Sequence, residues 1–133
     1  MKIVIEIGMA TYRYKKGVSN MGGETKHFLA DFGNAVEQMK VQTPDVVNGF
    51  MGMFAKIMKA GVLDVKQKEL IALAVGVAMR CKPCIILHVQ KALQAGASRE
   101  EILEAAGVTV MMGGGPAYTH IPEVIKALDD LGA

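Results

Sequence analysis

The stretch ELIALAVGVAMRCKPCIILHVQ, residues 69–90, decides how this chain of 133 residues folds. An apolar run between Glu69 and Arg80 predicts a largely buried helix, about half the length that a bilayer span requires. Pro83 favours the first turn of another helix, because its missing N–H group has no partner there in any case. The stretch therefore predicts two consecutive helices joined at a Cys-Lys-Pro-Cys motif.

Helical periodicity continues on both sides of this stretch. Apolar residues recur at spacings of three and four, and residues that start or stop helices separate the segments. The six predicted helices run over about 26–41, from an N-cap at Thr43 to Gly61, from an N-cap at Asp64 to about Arg80, from Pro83 to Gly96, from a capping box at Ser98 and Glu101 onward, and through Ile121 to Leu128 after a break at 113–116. Strand signals are nearly absent, so the sequence predicts an all-α fold.

Composition excludes several classes of protein. Hydrophobic residues make up 51% of the chain and charged residues 21%, which is too apolar for a disordered protein. A formal net charge of +2 without basic clusters argues against nucleic acid as a partner, and no segment predicts a membrane crossing. Two cysteines are too few for a disulfide scaffold and no signal peptide is recognisable, so we expect a protein of the reducing cytoplasm.

The first 23 residues differ from the rest. They hold four basic residues against one acidic residue and show no helical period. We expect residues 1–23 to form an extended or mobile N-terminal arm, and residues 24–133 to form a single all-helical domain. Met21 leaves open that the arm lies upstream of the true start.

The second predicted helix carries more apolar surface than one contact inside the chain can cover. Its main apolar stripe comprises Val47, Phe50, Met51, Phe54, Ile57 and Met58, and Val46 and Met53 fall outside that stripe. A second buried face is implied, and the chain's 10 methionines suit irregular packing surfaces. We therefore expect a homo-oligomer.

Both cysteines lie in one motif, Cys81-Lys82-Pro83-Cys84, for which three interpretations are open. The thiols could be two small buried apolar groups. They could bind zinc with His88, although a fourth ligand would have to be Glu69 or His120 and no second pair of ligands is present. They could also be redox-active, which explains more of the neighbouring residues.

The redox interpretation orders the two thiols. Cys84 lies in the first turn of its helix, where free N–H groups and the helix dipole stabilise a thiolate, whereas Cys81 follows the negative end of the preceding helix. His88, four residues after Cys84, lies on the same helix face and can exchange a proton with it. The spacing also predicts an intramolecular disulfide upon mild oxidation.

Glu69 is the third candidate, as a carboxylate at the start of the apolar run. If the two helices formed a simple antiparallel hairpin between Arg80 and Pro83, Glu69 and His88 would be offset by about 9 Å along the axis. A steep crossing or a bridging water would then be needed to join them. His27 is expected to be exposed, and His120 is a further candidate pocket residue.

Together these residues resemble a known family. Glu69, then Cys81-x-x-Cys84 and His88, at these spacings, are similar to the signature of the alkylhydroperoxidase D-like branch of the carboxymuconolactone decarboxylase family. The resemblance covers about residues 27–131 and leaves the N-terminal arm unmatched. It implies an all-α fold assembled as trimers or hexamers.

The resemblance also implies a function. Hydroperoxides would be reduced through a sulfenic acid on Cys84, which Cys81 resolves, with His88 and Glu69 as a proton relay and a dithiol or protein as reductant. No metal or cofactor is implied. Peroxidases of this group also carry a histidine just before the second cysteine, where this chain has Pro83. A non-enzymatic redox sensor or scaffold, and a decarboxylase acting on lactones, are the alternative interpretations.

Overall fold

A short β-sheet precedes the helices in the computed structural model of this chain, which describes residues 4–7, 10–13 and 23–133. Strands β1 (Val4–Ile7) and β2 (Ala10–Arg13) pair antiparallel, with Val4 opposite Arg13. Strand signals were expected to be nearly absent from the chain, and residues 1–23 were expected to form an extended or mobile arm. The backbone of these two segments is extended and paired, and the other residues of the arm up to residue 22 lie outside the described residues.

The described residues after the arm are helical, which confirms the all-α fold with about six helices. The helices are α1 (Glu24–Gln42), α2 (Pro44–Met58), α3 (Val65–Ala78), α4 (Lys82–Gln94), α5 (Arg99–Gly113), α6 (Gly115–Tyr118) and α7 (Ile121–Leu131). Helix α6 is a single turn that starts within the glycine-rich segment 113–116, which was expected only to interrupt the helical pattern. No helix in the described part of the chain is long and apolar enough to cross a membrane.

The predicted starts of α3 and α5 are confirmed by reciprocal capping boxes. The Asp64 carboxylate accepts the Gln67 N–H at 2.7 Å, and the Gln67 side chain accepts the Asp64 N–H at 2.9 Å. Ser98 and Glu101 make the same pair of hydrogen bonds at the start of α5. Each box satisfies N–H groups that would otherwise lack partners, which fixes where the helix begins.

The predicted start of α2 is confirmed in position, because Thr43 is the N-cap residue and Pro44 the first helical residue. The Thr43 side chain does not cap the helix, however, since its hydroxyl donates backwards to the Met39 carbonyl at 3.0 Å. The predicted end of α2 is wrong. The helix ends at Met58 and not at Gly61, since Lys59 is already extended. The Lys68 ammonium donates to the Ile57 and Lys59 carbonyls, both at 2.7 Å, and so satisfies the free end of α2 from another helix.

The joint between α3 and α4 is tighter than the sequence predicts. Helix α3 ends at Ala78, and Arg80 adopts a left-handed conformation with φ 57°. The Cys81 N–H donates to the Gly76 carbonyl and the Arg80 N–H to the Val77 carbonyl, both at 3.0 Å. These two bonds form a Schellman motif that ends α3 two residues before the predicted Arg80.

Both ends of α4 differ slightly from the prediction. The first helical residue is Lys82 and not Pro83, and the last is Gln94 and not Gly96. Gly96 has φ 86°, so it takes part in the left-handed turn that follows the helix and does not belong to it.

The core lies between α3, α4, α5 and α7. Helix α3 is central: it packs against both α4 and α5, while α7 closes the other side of α4. The largest fully buried side chains are Leu73, Val77, Ile85, Val89, Ile102, Val124 and Leu128. Helix α1 adds only the partly buried Phe28 and Leu29 at the edge of this core, whereas α3 and α4 make the most extensive contact between two helices in the described residues. The cysteines lie at the joint between these two helices.

Candidate active site

The two cysteines lie at the N-terminus of α4 and are joined by a disulfide. Their Cα atoms are 5.2 Å apart. Cys81 is the N-cap residue, and its sulfur accepts the Cys84 N–H at 3.3 Å. Cys84 therefore lies in the first helical turn, as predicted, and Cys81 belongs both to the end of α3 and to the cap of α4.

Glu69 and His88 are in direct contact. Glu69 Oε2 lies 2.7 Å from His88 Nδ1, and the side chains are only 5% and 18% exposed. When a buried carboxylate accepts from Nδ1, that nitrogen carries the proton and Nε2 of a neutral imidazole is left as an acceptor. Because His88 follows Cys84 by one turn of α4, this acceptor is on the same helix face as the second cysteine.

The expected offset of about 9 Å between Glu69 and His88 is wrong, and no bridging water is needed. A simple hairpin would cross over between Arg80 and Pro83, but the Schellman motif folds the chain back so that Cys84 lies beside Gly76. Measured from that contact, Glu69 is seven residues away on α3 and His88 is four residues away on α4. The remaining offset of about 4.5 Å is within reach of the two side chains.

The other two histidines lie elsewhere. His27 is exposed on α1, as expected. His120 precedes α7 and its Nδ1 lies 2.8 Å from the Pro116 carbonyl, which holds the ring against the backbone of α6. Among the described residues, no group of three His, Cys, Asp or Glu side chains could hold a metal ion, so the zinc interpretation gains no support.

A cationic side chain on the same face of α4 was not predicted. Lys91 follows Cys84 and His88 at the next helical position on that face, and its Nζ lies 4.6 Å from the centre of the Phe54 ring on α2. The spacing of four and then three residues was visible in the sequence. What could not be read there is that α2 supplies an aromatic ring to hold the lysine.

A cluster of charged side chains on the opposite side of α4 was also missed. The Glu24 carboxylate bridges Lys82 at 3.1 Å and Lys126 at 2.8 Å, and these two partners lower the pKa of Glu24. Lys126 also contacts the buried Asp130 at 3.2 Å, and Asp130 accepts the Thr25 N–H at 3.0 Å. The cluster ties the first turn of α1 to α7 and to Lys82, one of the two residues between the cysteines.

The same region encloses a cavity of about 170 Å³. It is lined by Glu24, Thr25, Phe28, Lys82, Pro83, Ile86, Glu123 and Lys126. Lys82 and Ile86 point from α4 roughly opposite to Cys84 and His88, because each precedes one of those residues by two positions, which is about 200° of rotation around a helix. The cavity therefore lies behind the cysteine motif and not on the side of the imidazole.

Comparison with known proteins gives a consistent result. Residues 44–127 match the model of the carboxymuconolactone decarboxylase family. An uncharacterized protein of Haemophilus influenzae is 35% identical over 103 residues, which cover 77% of this chain and 88% of that protein. These matches extend beyond the cysteine motif to most of the helical part of the chain.

Solved structures of similar proteins share the fold. A carboxymuconolactone decarboxylase family protein of Legionella pneumophila is 34% identical, with a TM-score of 0.78 over 83% of this chain and 98% of that one. A family protein of Thermotoga maritima, for which an involvement in antioxidative response has been suggested, is 30% identical, with a TM-score of 0.71 over 79% of this chain and 89% of that one.

Proposed function

Because this chain belongs to the carboxymuconolactone decarboxylase family, which includes enzymes, we propose that it is a thiol-dependent oxidoreductase that reduces hydroperoxides. A dithiol or a protein thiol would return the electrons. The observation that carries the proposal is the placement of the Cys81–Cys84 disulfide one helical turn from a buried pair of Glu69 and His88. The antioxidative role suggested for the Thermotoga maritima relative agrees with it.

The reaction begins with the reduced pair of cysteines. The Cys84 thiolate attacks one oxygen of the hydroperoxide, the O–O bond breaks, and the sulfur becomes a sulfenic acid while the other oxygen leaves as an alcohol or water after taking a proton. The Cys81 thiol then attacks the Cys84 sulfur, which releases water and forms the disulfide. An external dithiol reduces this disulfide and is itself oxidised, which completes a balanced two-electron cycle.

The positions of the two cysteines support this order of events. Cys84 lies in the first turn of α4, where the positive end of the helix dipole favours its thiolate, and His88 lies one turn further on the same face. Cys81 lies at the negative end of α3, which opposes ionisation, whereas the N–H group that its sulfur accepts from Cys84 acts the other way. One turn further along α4 from Cys81 lies Ile85, so Cys81 has no histidine at the position that His88 occupies for Cys84. We therefore assign the attack on peroxide to Cys84 and the resolving step to Cys81.

His88 and Glu69 would act as the proton relay. Glu69 fixes the imidazole with Nδ1 protonated, so Nε2 can take the Cys84 thiol proton and later supply a proton to the leaving oxygen. This orientation by a buried carboxylate follows the same physical logic as the carboxylate that orients the histidine of a serine hydrolase.

Steady-state peroxide consumption with excess dithiol tests the proposal. Wild type should turn over many equivalents, whereas Cys84→Ser should be inactive. One equivalent of oxidation followed by arrest would instead support the redox-sensing alternative. Activity on lactones that persists after both cysteines are replaced by serine would support the decarboxylase alternative.

Chemical trapping tests the assigned order of the cysteines. A reagent specific for sulfenic acid should label Cys81→Ser after one equivalent of peroxide, because the resolving thiol is gone, and should not label Cys84→Ser. Alkylation of each single-cysteine variant as a function of pH should give the lower thiol pKa to Cys84. If Cys81 is the more acidic and faster thiol, the roles are reversed.

A matched pair of histidine variants tests the relay. His88→Ala should raise the Cys84 thiol pKa and slow the peroxide step without abolishing it, because the helix dipole remains. His120→Ala removes a histidine that contacts only backbone and its neighbour, and should leave both quantities unchanged. Glu69→Gln should act in the direction of His88→Ala if the carboxylate fixes the ring as proposed.

We also propose that the protein acts as a homo-oligomer, for which the family resemblance favours trimers or hexamers. Support comes from α2, where only Val47 is buried and five apolar side chains are at least half exposed. These five are Val46, Phe50, Met51, Met53 and Ile57. A contiguous apolar surface of this kind on a single helix indicates a contact with another protein chain.

A further inference from the structure

Gly76 on α3 lies against the first turn of α4, where the cysteines are. A Cβ atom at this position would lie 3.2 Å from Cys84 Cβ, 3.5 Å from the Ile85 nitrogen and 3.6 Å from the Cys84 carbonyl carbon. Two carbon atoms pack best at about 3.5–4.0 Å, so a methyl group here would press on the second cysteine. The absence of a side chain is what lets the two helices approach at this point.

Gly76 also contacts the first cysteine, through its backbone. Its carbonyl accepts the Cys81 N–H at 3.0 Å as part of the Schellman motif. One residue therefore fixes Cys81 through a hydrogen bond and limits the distance of Cys84 through a close contact. Glycine in a helix interior costs about 0.5–1 kcal/mol relative to alanine, so the helix itself gives no reason for this residue.

We propose that Gly76 is a positioning residue that sets the balance between the disulfide and dithiol states of Cys81 and Cys84. The inference rests on the proposed function insofar as the two cysteines cycle between these states. Gly76 itself carries no reactive group. It acts only by setting how closely the Cys84 Cβ atom can approach α3.

The disulfide state is more sensitive to the distance between the Cys84 Cβ atom and α3 than the dithiol state is. In the disulfide, Cys84 is tied to Cys81 both by the S–S bond and by the hydrogen bond from its N–H to the Cys81 sulfur. A methyl group on residue 76 would push Cys84 away from α3 while these ties hold it. After reduction the S–S tie is gone and Cys84 can retreat. An alanine should therefore disfavour the disulfide.

The test compares Gly76→Ala with Gly107→Ala in the full chain. Gly107 is in the interior of α5, and its Cβ would meet nothing within 4 Å, so this control gains the same helix propensity without the contact. Each protein is equilibrated with mixtures of reduced and oxidised dithiothreitol, and the fractions of dithiol and disulfide are read by alkylation and mass spectrometry. Two electrons pass from the reagent to the protein in each reduction.

We expect the equilibrium constant for reduction to rise about tenfold in Gly76→Ala, which corresponds to about 30 mV for a two-electron couple. The Gly107→Ala constant should stay within about twofold of wild type. Equal constants in both variants would overturn the proposal. Because this equilibrium needs no peroxide, a shift without any peroxidase turnover in wild type would reject only the proposed function, and turnover with no shift would reject only this inference.

A rescue experiment covers the case in which Gly76→Ala folds poorly. Cys84→Gly removes the Cβ atom that the added methyl would press on, so the loss in urea midpoint caused by Gly76→Ala should disappear in the Cys84→Gly background. If the loss persists at full size, the methyl strains the backbone near Ile85 and not Cys84, and the proposal is wrong.

Discussion

The helices of this chain fall into two regions that differ in how they are held. Helices α3, α4, α5 and α7 share a continuous core of fully buried aliphatic side chains. Helices α1 and α2 have 19 and 15 residues, yet each buries only one of them, Thr25 and Val47. The sequence of α2 is at least as apolar as those of the inner helices, so composition alone does not explain why α2 is exposed.

The contrast shows that apolar residues on a helix do not by themselves say where they are buried. Val47, Phe54 and Met58 of α2 turn towards the rest of the chain, whereas Phe50, Met51 and Ile57 point away from it. At about 25 cal/mol per Å² of apolar surface, leaving such a face in water forgoes several kcal/mol. The inner region is stabilised by its own contacts, and we expect the outer region to be stabilised by a second chain.

The largest expected effect is on assembly. Phe50→Asp places a charge in the exposed α2 face and should reduce the particle from a multiple of 14.2 kDa to 14.2 kDa. Val62→Asp is the control, because Val62 is fully exposed in the loop between α2 and α3. Light scattering during gel filtration measures both. If the wild-type chain is a monomer at micromolar concentration, the exposed face of α2 is not covered by a second chain and the explanation given for the outer region is wrong.

The next effect is on stability within one chain. In the monomeric Phe50→Asp background, Leu73→Ala should lower the free energy of unfolding by about 2–5 kcal/mol, because Leu73 is fully buried in α3. Ile57→Ala on α2 should cost less than about 0.5 kcal/mol in the same background. Urea denaturation gives both values. Similar losses for the two variants would mean that α2 is buried in the isolated chain.

A smaller, pH-dependent effect is expected where α1 joins the inner region. Burial raises the pKa of Asp130, but hydrogen bonds from Thr25 and the Lys126 ammonium outweigh it and leave this pKa below the ordinary 3.8. A lowered carboxyl pKa stabilises the fold above the ordinary value, and the contribution is lost as the pH falls through the folded pKa.

Asp130→Asn should therefore destabilise by about 1–2 kcal/mol at pH 7, and its difference from wild type should shrink below about pH 4. Asp129→Asn is the matched control, since the Asp129 side chain is 61% exposed in its pair with Arg99. Thermal melts from pH 7 to pH 3 measure the comparison. A difference that stays constant over that range would show that the Asp130 charge does not hold α1.

The smallest effect compares two hydroxyl residues at helix starts. Ser98→Ala removes a cap that the structure shows and should cost about 1 kcal/mol. Thr43→Ala removes a side chain that caps nothing and should change stability by less than about 0.5 kcal/mol. Urea midpoints distinguish them. A larger loss for Thr43→Ala would show that its bond to the Met39 carbonyl holds the α1–α2 turn.

Local signals in the sequence were enough for the fold class and for most helix starts. Asp64 and Ser98 mark the starts of α3 and α5 in the sequence, because all the residues of a capping box lie within four positions. The end of α2 could not be predicted in this way. The lysine that satisfies its last carbonyls, Lys68, is about ten residues further along the chain and reaches them only after the helices have packed.

The candidate site shows the same limit. Cys81, Cys84 and His88 follow from spacing on one helix, but the contact of His88 with Glu69 depends on the register between two helices. That register is set by Arg80 in a left-handed conformation, which an arginine adopts far less readily than a glycine. The importance of Gly76 was hidden for the same reason, because a close approach between helices leaves no pattern along either one.

The cap of α4 has a practical consequence for following this protein in solution. Because the Cys81 sulfur accepts the Cys84 N–H, any change at that sulfur alters the electron density around one backbone amide. The ¹H–¹⁵N resonance of Cys84 should therefore occupy separate positions in the dithiol and disulfide forms, because the Cys81 sulfur is a thiol in the first and part of the S–S bond in the second. A single cross-peak would then report the oxidation state of the unlabelled thiols in real time, without a dye or a quench.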